Sequence, residues 1–98
     1  MVPSGFVDQA QLSSEVRRAI SMLGPEVVRV EHSVGADTSG EPAIFFRIVL
    51  TDLASREETL ADVSGNIARF FFDELRPYEN WGLYPYFSFR SESEPAWG

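Results

Sequence analysis

Histidine is the side chain whose ordinary pKa lies nearest neutrality, and this chain has one, His32. Any acid–base or triad chemistry that uses an imidazole must therefore use His32. The position alternates with Val28, Val30 and Val34, and no serine or acidic residue stands at a spacing typical of a nucleophile pair. We interpret His32 as a structural residue on the apolar face of a strand.

Cysteine and lysine are both absent from the sequence, so all 8 basic residues are arginines. The chain therefore supplies no thiol nucleophile, disulfide, thiolate zinc site, Schiff-base amine or phosphate-loop lysine. Its glycines are scattered, and none of them forms a glycine-rich phosphate loop before a helix. These features favour a protein that is not an enzyme.

Asp37, Ser39 and Glu41 alternate in a turn-rich stretch, and this spacing superficially suggests oxygen ligands for a hard cation. A calcium loop of the EF-hand type needs a bidentate acid at its twelfth position, which is Ile48 when the loop begins at Asp37. Neighbouring acids such as Glu57–Glu58 do not face each other on a helix. The sequence predicts no metal site, no cofactor and no catalytic residue.

The hydrophobic pattern divides the chain into five elements that position these side chains. Apolar residues recur at helical spacing over 12–23 and 60–75, and they alternate with other residues over 27–34, 43–51 and 83–90. The predicted order is α-β-β-α-β, an α+β fold with two helices packed on one face of a three-stranded sheet. A right-handed crossover makes the last strand parallel to the second, either beside it or beside the first.

A length of 98 residues allows a single domain, and its ends at about 1–7 and 92–98 are predicted to be loose. Ser55 and Glu58 have the spacing of a capping box, which predicts that the second long helix begins there. Residues 77–82, between the second long helix and the last strand, are interpreted as a turn. Pro85 predicts that the last strand lies at an edge of the sheet or begins near this residue.

One large apolar side chain of the second long helix lies outside the apolar stripe that faces the core. Phe72 falls on the side of the helix that carries the small residues Ala61, Gly65 and Ala68. This placement is typical of a contact surface, and it is equally typical of a ring that covers the edge of the core.

The sheet face opposite the helices has the most distinctive composition. Alternation along the three strands places on it a set of aromatic residues, arginines and one valine: Arg29, Phe45, Arg47, Val49, Tyr84, Tyr86 and Arg90. Aromatic residues and arginine are enriched at the centres of protein interfaces. We therefore expect a protein partner or a second copy to bind this face. Packing at the sheet edge and stacking of nucleic-acid bases are the alternatives.

The charge of the chain is acidic, with 15 Asp and Glu against 8 Arg and a formal net charge of -7. This balance disfavours binding to nucleic-acid backbones and to anionic membranes. The sequence starts without the basic and apolar segments of a secretion signal, and no apolar run is long enough to span a bilayer. We expect a cytoplasmic protein.

Two stretches, GADTSGEPAIFFR at 35–47 and WGLYPYFSFRS at 81–91, resemble a family of small uncharacterised bacterial proteins. The likeness covers most of residues 27–91. It implies a small acidic companion of a larger enzyme in defence or toxin–antitoxin-like gene sets, and it assigns no functional residue.

The sequence thus predicts a non-catalytic protein-interaction module. It would act as a homodimer or as an acidic, antitoxin-like accessory subunit of a larger bacterial protein. The alternative is a binder of single-stranded nucleic acid or of a small ligand that uses the same sheet face.

Overall fold

The computed structural model describes residues 8–94 and confirms the predicted order of long elements, α-β-β-α-β, with one short helix added. The elements are α1 (Gln9–Ile20), β1 (Val27–Ala36), β2 (Pro42–Leu50), α2 (Glu57–Leu75), α3 (Pro77–Trp81) and β3 (Tyr84–Ser91). The sheet order is β1-β2-β3, with β1 antiparallel and β3 parallel to β2. The last strand therefore lies beside the second, and β2 is central.

Both long helices pack on one face of the sheet, as expected. Leu12 of α1 and Ile67 of α2 belong to the same buried cluster as the inward side chains of β2. Phe46 stands at its centre, with its ring 4.8 Å from that of Phe71 and 5.1 Å from that of Phe87. The inward-facing residues of β2 and the apolar residues of α2 thus pack in a single core.

The connection between α1 and β1 is held against the end of β2. The Thr51 amide donates to the Glu26 carbonyl at 3.0 Å, and the Val27 amide donates to the Gly24 carbonyl at 3.3 Å. These bonds fix residues 21–26 beside the turn that follows β2.

The start of α2 differs from the predicted capping box. The helix begins at Glu57, and its N-cap, Arg56, makes no side-chain capping bond. Ser55 belongs instead to a turn of its own, in which its amide and its hydroxyl both donate to the Thr51 carbonyl, at 3.0 Å and 2.8 Å. The predicted capping box is wrong because the N-cap is Arg56 rather than Ser55, and the Ser55 amide that Glu58 would bind already donates to Thr51.

A short helix, α3, follows the end of α2 where the sequence pattern predicts a turn. Arg76 adopts the left-handed conformation, with φ 44° and ψ 61°, and Pro77 then begins α3. The Asn80 side-chain amide donates to the Leu75 carbonyl at 2.8 Å. Trp81 is buried by this reversal. Pro77 at the first helical position and Gly82 just after the last are the local signals for α3.

The first strand contains a bulge that overturns one assignment of a side chain to a face. Pairing passes from Val27–Leu50 directly to Arg29–Val49, so Val28 is the additional residue. Val28 is exposed, whereas Val30 and Val34 pack against the core. The predicted alternation holds from Arg29 onward because the bulge lies before it.

The last strand is an edge strand, as Pro85 predicts. Glu92 and Ser93, at the predicted loose end, continue against the end of β2. The Glu92 amide donates to the Leu50 carbonyl at 2.8 Å, and the Ser93 hydroxyl donates to Asp52 at 2.8 Å. The remainder of the predicted loose ends, 1–7 and 95–98, lies outside the described residues.

Candidate functional site

The face of the sheet turned away from α1 and α2, here called the outer sheet face, carries the whole predicted binding set. Cross-strand pairing arranges these side chains in rows: Arg29 with Val49 and Arg90, Glu31 with Arg47 and Ser88, Ser33 with Phe45 and Tyr86, and Ala43 with Tyr84. Pairing brings the predicted residues together because paired residues in neighbouring strands point to the same side of the sheet.

The members of this set differ in how far solvent reaches them. Tyr84 is 54% exposed and Tyr86 is 42% exposed. Val49 lies on the same face but is only 3% exposed, so it offers no contact area to a partner. Arg90 is partly buried, and its guanidinium donates to the carbonyls of Ser91 at 3.2 Å and Glu94 at 2.8 Å. The accessible part of the face therefore lies away from Val49 and Arg90.

Four aromatic rings form the centre of the accessible part, and we call them the aromatic patch: Phe45, Tyr78, Tyr84 and Tyr86. The rings of Phe45 and Tyr86 stack at 5.5 Å with an interplanar angle of 19°. Tyr78 of α3 contacts Tyr84, with centroids 5.4 Å apart. Sequence reasoning missed Tyr78 because it treated 77–82 as a turn, although Pro77 and Gly82 mark a short helix there.

Charged side chains of both signs border the aromatic patch. Arg47 lies 4.0 Å from Glu31, and both side chains remain well exposed. An ion pair this long and this exposed contributes little to folding. Both groups can therefore bind a partner with little loss of stability to the free chain.

Asp37, in the loop between β1 and β2, connects that loop to the patch. Its Oδ1 accepts hydrogen bonds from the Ser39 amide at 2.9 Å, the Ser39 hydroxyl at 2.7 Å and the Glu41 amide at 3.0 Å. Its Oδ2 accepts a hydrogen bond from the Tyr86 hydroxyl at 2.8 Å. The three residues that suggested a cation site are thus used to shape a turn, with the Asp37 oxygens directed to protein donors.

These hydrogen bonds shift the pKa values of Asp37 and Tyr86 in opposite directions. The Ser39 hydroxyl, followed by the Tyr86 hydroxyl, lowers the pKa of Asp37 to about 2. The Asp37 carboxylate in turn raises the pKa of the Tyr86 phenol, because the phenol donates to a charged acceptor. At neutral pH Asp37 is therefore ionised and Tyr86 is protonated, so the contact is a charge-assisted hydrogen bond.

His32 occupies the opposite, helix-packed face of the sheet, as its alternation with Val30 and Val34 predicts. It pairs with Phe46 in the register, and the two rings are 6.5 Å apart. Partial burial lowers the pKa of His32, because removal from water disfavours the imidazolium. Within residues 8–94 the His32 imidazole makes no hydrogen bond to a hydroxyl or a carboxylate, so the described structure supplies no base–nucleophile pair there.

Phe72 lies exposed on the outer side of α2. Nothing stands within 4 Å of a Cβ built on Gly65, so space is open beside this small residue. The exposed Phe72 ring thus shares one side of α2 with the open space at Gly65.

Neither a membrane-spanning helix nor a cluster of potential metal ligands is present among residues 8–94. No helix among residues 8–94 has the length and hydropathy needed to cross a membrane. In the same part of the chain, no group of three or more His, Cys, Asp or Glu residues is placed to hold a metal ion. Comparison of the chain with protein-family models, curated proteins and solved structures found no match.

Proposed function

We propose that this chain is a non-catalytic protein-interaction module and that two copies associate through the outer sheet face. The observation that carries the proposal is the aromatic patch, whose rings lie side by side on the face opposite the helices. Burial of apolar surface contributes about 25 cal/mol per Å². Aromatic rings supply that area with few rotatable bonds, so they lose little entropy on association.

The charges around the aromatic patch favour a second copy as the partner. Arg29 and Arg47 carry positive charge on the face, while Glu31 and Asp37 carry negative charge beside them. A second copy presents the same two charges, so Glu31 of each copy attracts Arg47 of the other when the two faces meet. Each ion pair then occurs twice, as the symmetry of an isologous interface requires.

The size of the outer sheet face sets the strength that we expect. Three strands of about eight residues cover roughly 14 by 26 Å, or about 360 Å². A typical stable interface buries about 800 Å² per partner. Self-association should therefore be weak and dependent on concentration. The helix-packed position of His32 supports the non-catalytic part of the proposal.

Sedimentation with paired charge reversals tests the dimer. Arg47→Glu and Glu31→Arg each place like charges together across the two-fold axis, so either variant alone should be monomeric. An equimolar mixture of the two variants restores opposite charges at both contacts and should associate again. Tyr84→Ala, which removes an exposed ring, should also weaken association without unfolding the chain.

The control and the contradicting results are measured in the same series. Thermal melts should show that all three variants remain folded. The proposal is wrong if the wild-type chain stays monomeric up to about 1 mM, where an association of about 4 kcal/mol would already be detected. It is equally wrong if the mixed charge variants fail to associate while each remains folded.

Single-stranded nucleic acid is the second candidate ligand, because Arg29 and Arg47 lie on the same face as the stackable rings of Tyr84 and Tyr86. An oligonucleotide complex should weaken steeply between about 50 and 200 mM salt as counterions are released. An aromatic-centred protein dimer should change much less. A larger protein to which this acidic chain is an accessory subunit would use the same surface, and competition with self-association would reveal it.

A further inference from the structure

A second surface, independent of the outer sheet face, runs along α2 from Thr59 to Phe70. Two neighbouring depressions, of about 590 Å³ and 260 Å³, both have Glu26 and Val63 in their walls. The two depressions adjoin at these two side chains, and we call them together the helix-2 groove. It lies between α2 and the connections at 21–26 and 51–56.

The walls and rims of the helix-2 groove are mainly apolar. Leu53 lines the larger depression and is 66% exposed, and Met22 lines the smaller one and is 54% exposed. Val63 and Phe70 on α2 are partly buried against the core and provide the floor. Exposed apolar side chains at both parts of an apolar groove are typical of a surface that binds apolar anchors from a partner.

Glu26 is the charged side chain that lines the groove, and it lies where the two depressions meet. A Cβ built on Gly24 would come within 2.7 Å of one Glu26 carboxylate oxygen and 2.8 Å of the other. The carboxylate is therefore folded back over Gly24, in space that a larger residue would take. Within residues 8–94 Glu26 has no arginine partner.

Charged residues of both signs flank the groove, and acidic residues are in slight excess when Glu26 is included. Asp52 precedes Leu53, while Glu58 and Asp62 are neighbours of lining residues on α2. The opposing charges are Arg56, Arg69 beside Phe70, and Arg18, whose guanidinium donates to the Met22 sulfur at 3.7 Å. The whole chain carries a net charge of -7. A basic partner therefore meets an attractive field as it approaches the groove.

We propose that the helix-2 groove binds a basic amphipathic segment of another protein. Apolar side chains of the segment fill the depressions at Leu53 and Met22, and a lysine or arginine between them pairs with the Glu26 carboxylate. This places a second binding surface on the helical side of the module, and it does not depend on self-association through the outer sheet face.

A pair of designed peptides tests the proposal. One is a labelled helical peptide of leucine and lysine, and the other has glutamate at every lysine position. Binding is measured by fluorescence polarisation at about 150 mM salt, which screens general attraction between separated charges. The lysine peptide should bind at least about tenfold more tightly than the glutamate peptide. Amide chemical shifts should change at residues 22–26, 51–54 and 59–67.

Three substitutions assign the binding to the groove. Glu26→Gln should weaken binding of the lysine peptide by about fivefold. Gly24→Ala should have the same effect, because its methyl group displaces the Glu26 carboxylate. Leu53→Ser should weaken both peptides, because it removes an exposed anchor contact. Glu41→Gln is the matched control, since it removes one exposed carboxylate at the far end of the sheet and should leave binding unchanged.

Several results would overturn the proposal. Equal weakening by Glu26→Gln and Glu41→Gln would mean that the peptide is attracted by net charge alone. Shifts confined to the outer sheet face would place the peptide on the other surface. Tighter binding after removal of residues 95–98 would make the groove a site for the chain's own end. These experiments use chain concentrations at which sedimentation finds monomer, so their failure is distinguishable from failure of the proposed dimer.

Discussion

Asp37 links the loop between β1 and β2 to the aromatic patch through both of its carboxylate oxygens. One oxygen organises Ser39 and Glu41, and the other accepts from Tyr86. A single residue therefore decides both the shape of the turn and the orientation of one patch ring. Tyr86→Ala would disturb the loop as well as the surface, so Tyr84 is the better probe of association.

We predict that Asp37 makes the stability of the folded chain depend on pH. Because the pKa of folded Asp37 is lowered to about 2, the ionised carboxylate stabilises the folded chain above about pH 4, the ordinary value for aspartate. That stabilisation is lost as the pH falls from about 4 towards 2. Carbon NMR of the Asp37 carboxyl group should give the low midpoint directly.

The variant Tyr86→Phe tests whether the Tyr86 hydroxyl helps to lower the pKa of Asp37. It removes one hydrogen-bond donor, so the Asp37 midpoint should rise towards its ordinary value while remaining below it, because Ser39 still donates. In the reciprocal variant, Asp37→Asn, the pKa of Tyr86 should fall towards the ordinary value of about 10. An unchanged Asp37 midpoint in Tyr86→Phe would contradict the hydrogen bond between them.

At the scale of elements, the junction of α2 and α3 sets where Tyr78 lies. Arg76 reverses the chain with a left-handed backbone, and within residues 8–94 it is the one non-glycine residue with positive φ. Its amide still donates to the Phe72 carbonyl at 3.0 Å, which closes α2. The reversal carries Pro77 and Trp81 into buried positions and places Tyr78 against Tyr84.

Arg76→Gly should therefore stabilise the chain. A side chain in the left-handed region costs about 1 kcal/mol or more, and glycine at this capping position is free of that strain. The exposed Arg76–Glu79 pair, at 4.0 Å, offsets little of the gain. Thermal melts should show an increase of several degrees for Arg76→Gly. Arg76→Ala should show no such increase, and equal melting of the two variants would contradict the strain argument.

At the scale of the whole molecule, one core holds every long element together. Phe46 of the central strand contacts Phe71 of α2 and Phe87 of β3, and the cluster extends to Leu12 of α1. The two proposed surfaces lie on opposite sides of this core, the outer sheet face on one and the helix-2 groove on the other. Changes at either surface should therefore leave the fold intact.

Phe46→Ala should destabilise the whole chain by about 3–5 kcal/mol, a large part of the stability expected of a small domain. Phe46→Leu should lose less because it leaves a smaller cavity. Tyr84→Ala, on the outer sheet face, should change the free energy of unfolding by less than about 1 kcal/mol. Denaturant unfolding measures all three, and a loss in Tyr84→Ala as large as in Phe46→Ala would invert the assignment of the two faces.

Local pattern determined most of the architecture and the composition of the outer sheet face. The alternation of apolar residues in β2 and their helical spacing in α2 arise from side-chain geometry within each element. Both patterns can therefore be recognised in the sequence. The same alternation placed Phe45, Arg47 and Tyr86 on one face, because paired strands keep their alternation across a sheet. The mixed-charge border of that face follows from the same rule.

Tertiary structure decided what depends on contacts between distant segments. Pairing chose β2 rather than β1 as the neighbour of the last strand, and a bulge turned Val28 outward. Burial removed Val49 from the accessible surface, although its position in the alternation is that of a surface residue. The helix-2 groove exists because two connections meet beside α2, which brings Glu26 and Val63 together. The spacing of residues within one element does not predict contacts between distant segments, because these contacts depend on how the whole chain packs.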